Sequence, residues 1–159
     1  MTTPPITWMV TPAVSGDATT LARFNVQLAL ETENLRLPEA TVLSGVLHGL
    51  ARAPEVRYLV ARQAADGPAV GQLMLTREWS DWRDGWIWWI QSVYVDGAFR
   101  RKGVMRALFG HVREMALVNS EPVVLIRLYA EEHNSLAGAF YQRVGMFDEG
   151  YRVWAWKVR

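Results

Sequence analysis

The residues Trp88-Trp89-Ile90-Gln91-Ser92-Val93-Tyr94-Val95-Asp96-Gly97-Ala98-Phe99-Arg100-Arg101-Lys102-Gly103-Val104-Met105-Arg106-Ala107-Leu108-Phe109 read as an apolar strand, a short basic loop, one glycine and a helix. A helix opening at Gly103 leaves its first backbone N–H groups without intrahelical acceptors. Its dipole puts partial positive charge at the same end, and Arg100, Arg101 and Lys102 stand just upstream. Donors, dipole and cations together suit a phosphate or pyrophosphate, and Gly103 has no Cβ to obstruct it. No Gly-Lys-Ser/Thr follows, so this is not a Walker loop, and two glycines of a dinucleotide fingerprint are missing. The bland reading of such a run is a solvated basic loop. Its setting between an apolar strand and an amphipathic helix favours the anion site.

The remaining composition narrows the classes. A chain of 159 residues, half of them hydrophobic, can bury one sizeable core and is expected to form a single domain over 1–159. A net charge of +1 gives no global field for nucleic acid. There is no cysteine, hence no disulfide framework, thiolate metal site or cysteine nucleophile. Met1 to Pro5 lacks the layout of a signal peptide, and no apolar run reaches membrane-spanning length. The expectation is a soluble cytoplasmic protein with no membrane and no nucleic-acid partner. His48 and His111 fall in helices and His133 in a loop, without metal-ligand spacing, so no metal is expected.

Working outward, Ile6 to Val10 reads as a first strand ended by Thr11-Pro12. Ser15-Gly16-Asp17 supplies N-cap chemistry for a helix to about Glu31, with Leu21, Phe24 and Leu28 on one face and Val26 and Leu30 widening it. Pro38 suits the first turn of a second helix carrying Leu43, Val46, Leu47 and Leu50. Strands over 56–61, 70–78 and 86–95 form an antiparallel meander. The helix from Gly103 to near Asn119 presents Val104, Leu108, Val112 and Met115. The strand over 123–128 is almost continuously apolar, so it should be buried on both faces and run parallel to the one before the loop. Asn134 caps a short helix with Leu136, Phe140 and Val144 inward, and a last strand is expected around 151–158.

The loop Arg100-Arg101-Lys102-Gly103-Val104-Met105 resembles the Arg/Gln-x-x-Gly-x-Gly/Ala signature of the GNAT superfamily, the acetyl-CoA-dependent N-acetyltransferases. Met105 departs from the small residue there and is read as packing, near Val104 and Leu108 on the helix surface. Asn134-Ser135-Leu136-Ala137, Tyr141 and Gly145-Met146 are similar to the superfamily's Asn-x-x-Ala-x-x-x-Tyr-x-x-x-Gly-Phe segment, in the family's order. The resemblance implies an α/β fold with a mixed, mostly antiparallel twisted sheet and helices on both faces. It implies transfer of an acetyl group from acetyl-CoA to a primary amine by direct attack. It also implies that the backbone of Val93, Tyr94 and Val95 pairs with the pantetheine arm. The N–H groups of Arg101, Lys102, Gly103, Val104, Met105 and Arg106, beside Arg100, would hold the pyrophosphate, with Asn134 and Ala137 contacting CoA. Tyr141 would protonate the departing thiolate.

For the base and the acceptor, the residues leave alternatives open. Glu31 and Glu33 border the expected acceptor pocket, and Glu33 is the chosen base; Glu78, Asp81 and Asp84 flank a strand turn. Each has the reading of a plain surface acid, and a water held by strand carbonyls would do the same work. Alternation puts Trp86 and Trp88 on one face and Trp89 on the other. Trp79 and Trp82 fit an aromatic wall for a cationic amine, core, or a homodimer surface; Trp154 and Trp156 pose the same question. Two rival functions remain: a catalytically silent CoA-binding sensor of the same fold, and a nucleic-acid module built on Arg100–Lys102 and the tryptophans.

Overall fold

The computed structural model describes residues 7–130 and 134–158, so Ile6 and His133 lie outside the described residues. The chain divides into two compact units, one up to Tyr129 and one from Ala130. In the first unit the elements run β1 (Met9–Pro12), α1 (Ala18–Glu33), α2 (Glu39–Leu50), β2 (Val56–Arg62), β3 (Gly71–Ser80), β4 (Gly85–Val95), α3 (Val104–Leu117) and β5 (Val123–Leu128). The strands form one sheet in the order β1-β2-β3-β4-β5. The first three pairings are antiparallel, and β4 pairs β5 in parallel across the α3 crossover.

Period-two alternation sorts the side chains of the sheet. Tyr58 and Met74, opposite one another, join the cluster of Leu21, Phe24 and Val46 from α1 and α2. Leu59, Leu73 and Leu75 are buried on the opposite face, the side of α3. There α3 buries Val104, Leu108, Phe109 and Val112. Gly71 makes that approach possible, since a Cβ on it would lie 2.8 Å from Val104 Cγ1. Asp17 is buried at the start of α1, where its carboxylate accepts from the Val14 N–H and pairs with Arg62 at the end of β2. Arg62 also donates to the Gly67 carbonyl, so one guanidinium ties α1 to the β2–β3 turn.

Several expectations are corrected. β1 begins at Met9 and runs through Pro12, an edge position that tolerates proline. α1 continues through Glu33 and ends at Asn34, which takes φ +51 as its C-cap. Leu30 and Leu47 are exposed and lie off the core stripes of their helices. β5 is only half buried, because among the described residues it has a strand neighbour on one side alone.

The second unit contains α4 (Ser135–Arg143). The Asn134 side chain accepts from Ala137 N at 3.1 Å, and Gly145 at φ +90 lets Met146 N reach the Tyr141 carbonyl at 3.0 Å. Leu136 is 85% exposed and Val144 also faces outward, so only Phe140 of the expected inward trio is partly buried. The segment after α4 forms no strand, contrary to expectation: Trp154 and Trp156 are 89% and 94% exposed. A strand exists only when paired, and among the described residues of this unit there is none to pair with.

Candidate active site

Three features meet at the carboxyl end of β4. The first is an open strand edge. The parallel ladder to β5 stops at Ile90↔Leu128, while β4 runs on to Val95. Between Gln72↔Tyr94 and Met74↔Gln91 the β3 register slips, and Ser92 sits there at φ +51. This is a β-bulge: Gln91 and Tyr94, three apart, point to the same face. It breaks the alternation and bends β4 where the β5 ladder ends. Gln72, fully buried, holds the bulge through Nε2, which donates to Asn25 Oδ1 at 2.5 Å and to the Ser92 carbonyl at 3.2 Å.

The second feature is the start of α3. Gly103 is its N-cap at φ +87, and no side chain caps the helix. Arg101 also takes positive φ, at +60. Among the described residues, the backbone N–H groups from Arg101 to Arg106 find no acceptor; the first helical bond is Ala107 N to the Gly103 carbonyl. Left-handed residues beside a helix start gather such donors into an anion-binding concavity. The loop is latched from β1's end of the chain: Trp8 Nε1 donates to the Lys102 carbonyl at 2.7 Å, and its ring meets Phe99 edge-on at 6.0 Å. Val104 is buried, Met105 half buried, and Arg101, Lys102 and Arg106 exposed.

Arg100 is differently employed. Its Nη2 pairs with Glu31 Oε2 at 2.5 Å, and its Nε donates to the Val95 carbonyl at 2.9 Å. The Tyr94 hydroxyl donates to Glu31 Oε1 at 2.9 Å. Burial, then the hydrogen bond to Glu31, pushes the Tyr94 phenol above its usual value, and Glu31 likewise raises Arg100. Glu31 is thus a tie between α1, β4 and the loop. Val95's carbonyl accepts from Arg100, and Tyr94's backbone faces Gln72 on β3, so Val93 is what the outer edge of β4 presents beyond the β5 ladder.

The third feature is a cleft of about 340 Å³ between α1, α2 and the sheet. Glu33, Asn25, Tyr58, Met74 and the bulge residue Ser92 line it, so the cleft reaches the bulge of β4. Trp79 and Trp82 are elsewhere. Trp79 sits opposite Trp86 near the far end of β4 and on the other sheet face from Met74, and Trp82 is 88% exposed in the β3–β4 turn. Trp79 packs edge-on to Trp86 at 5.1 Å, with Arg77 over Trp86 at 4.2 Å. Trp88 is buried, and Trp89 faces the cleft side and stacks on Tyr129 at 4.6 Å.

Tyr141 lies on α4 in the C-terminal unit, beside Phe140 at 5.9 Å between ring centres. Burial pushes its phenol above the usual value. The Asn134 oxygen is used as N-cap, and Ala137 is the residue it caps.

The chain belongs to the GNAT acetyltransferase family, whose model matches residues 25–146. It is similar, at 36% identity and a TM-score of 0.86, to a solved structure described as a possible acetyltransferase from Clostridium difficile 630; the match covers 96% of this chain and 98% of that one. The fold is shared with a ribosomal-protein-alanine N-acetyltransferase from Brucella melitensis biovar Abortus 2308, at 17% identity and a TM-score of 0.74, covering 96% of this chain and 100% of that one. It is shared too with AAC(6')-Iy, solved with a CoA-based bisubstrate analogue, at 17% identity and a TM-score of 0.70, covering 96% and 99%. No curated protein matches the chain.

Proposed function

We propose that this protein transfers the acetyl group of acetyl-CoA to a primary amine by direct attack. The observation that carries the reading is the uncapped start of α3, with its unpaired N–H groups and Gly103, placed beside a strand edge that β5 has left open. The amides from Arg101 to Arg106 suit a pyrophosphate, with Arg101, Lys102 and Arg106 screening its charge. The β4 segment Val93 to Val95, beyond the end of the β5 ladder, suits an extended amide-bearing arm, held as an added strand would be. Bound acetyl-CoA would supply the thioester.

The amine nitrogen attacks the acetyl carbon, the C–S bond breaks, and the ammonium proton is lost while the thiolate gains one. Glu33, on the cleft, is the carboxylate we assign to attract the ammonium and relay its proton. Tyr141 is assigned as the thiolate's acid, a part that fits a phenol kept protonated by burial. The chain has no cysteine, so no thiol acyl-enzyme intervenes.

Calorimetric titration with acetyl-CoA and release of free thiol across a panel of amines test this together. Saturable binding with amine-dependent thiol release is expected, and Tyr141→Phe should lower turnover by about 10²-fold with little change in acetyl-CoA affinity. Binding without thiol release on any amine would replace the transferase with a CoA sensor.

A further inference from the structure

We infer that the acceptor is a primary amine with a single charge and an apolar, ring-sized body, and that polyamines and aminoglycosides are poor substrates. The inference rests on the transfer reading above and adds the substrate class to it. The cleft is walled by Leu28, Leu37, Val42, Val46, Met74 and the ring of Tyr58. Its volume of about 340 Å³ corresponds to about ten water molecules, room for one ring and a short chain.

Charge decides further. Among the described residues, Glu33 is the only carboxylate on the lining. Glu31, earlier on α1, is taken by Arg100 and Tyr94. Glu78, on the same sheet face as Met74, accepts from Trp89 Nε1 at 2.8 Å and pairs with Arg127 at 3.7 Å. Asn25 has its oxygen engaged by Gln72. One ammonium therefore finds a carboxylate, and a second or third would enter an apolar wall unpaired, which is costly. An apolar body instead loses its water against leucine, valine and methionine side chains.

The cleft also offers a clean way to alter its size. Gly45 faces it from α2, and a Cβ there would meet nothing within 4 Å. Gly45→Leu puts a side chain into the cleft at a helical position where leucine is the better helix former.

The test is acetyl-CoA-dependent thiol release with 2-phenylethylamine, spermidine and kanamycin. We expect kcat/KM for 2-phenylethylamine at least tenfold above the other two. In Gly45→Leu, its KM should rise at least tenfold, with acetyl-CoA affinity unchanged and the melting temperature equal or higher. Preference for spermidine or kanamycin would overturn the substrate class while leaving the transferase intact. An unchanged KM in a folded Gly45→Leu would remove the acceptor from this cleft. Thiol release with none of the amines, acetyl-CoA binding preserved, would overturn both readings together.

Discussion

Trp8 shows how much of a binding loop is decided by a residue outside it. Its indole N–H holds the Lys102 carbonyl, and its ring sits 3.8 Å from where a Gly103 Cβ would be. With the carbonyl so fixed, the planar trans peptide turns the Gly103 N–H away from the latch. Trp8→Phe keeps most of the packing and removes a bond worth about 1 kcal/mol. A modest loss of stability is expected in urea, with acetyl-CoA affinity down several-fold and kcat little changed. An affinity equal to that of the parent protein would show that the loop keeps its shape unaided. Nothing in the sequence around Trp8 marks this role, because the partner is a backbone carbonyl far along the chain. Arg100 taught the converse lesson: its charge was legible, but its commitment to Glu31 depends on where α1 ends.

At the scale of elements, the informative one is β4. Its apolar run and the loop after it were readable, and so were the parallel partner and the crossover helix. The bulge at Ser92 was not, since no glycine announces its positive φ. The signal that was available lies on the neighbouring strand, where Gln72 interrupts an otherwise apolar run. A buried amide needs partners, and its partners turn out to be Asn25 and the bulge carbonyl. Gln72 Oε1 has no partner among the described residues, so the site already carries an unpaired acceptor. Gln72→Leu removes that acceptor but frees two others, and a net loss of about 1–2 kcal/mol is expected. The bulge would then relax toward regular pairing, with acetyl-CoA affinity falling more than the stability loss alone explains. Equal affinity in a folded Gln72→Leu would mean that the bulge is held by the β3–β4 ladder by itself.

Over the whole molecule, the fold class was legible because the helices announced themselves by period and the strands of the sheet by apolar runs bounded by turn residues. The last strand failed because pairing is not a property of a segment: Tyr151 to Val158 alternates, yet alternation alone supplies no partner. The place of the tryptophans at the β3–β4 turn was not legible for a related reason, since aromatic richness does not say which face or which end of a sheet it occupies. Global stability should carry a signature of three phenols raised by burial, Tyr141 in the C-terminal unit and two in the sheet unit. Burial raises the folded-state values of Tyr58 and Tyr94 above the ordinary 10.0, with the Glu31 bond adding to the second. Above pH 10 the unfolded chain releases these protons while the folded one keeps them, so stability is full below that pH and declines as pH rises through the raised values. Urea denaturation at pH 8, 10 and 11 should show the fall. Tyr58→Phe and Tyr94→Phe together should make it shallower, leaving the share of Tyr141, and a slope unchanged in the double variant would assign the alkaline loss to other groups.

The hydrogen bond from Trp8 to Lys102 spans 94 positions of sequence. On a ribosome, the indole emerges early and has nothing to hold until that carbonyl clears the exit tunnel. By then β1, α1, α2 and the β2–β3 hairpin are all available to form, whereas the anion cradle is not. A nascent chain stalled before Lys102 can therefore build α1, α2 and the first strands of the sheet yet lacks the start of α3, and the loop takes its shape only when Lys102 reaches its waiting latch.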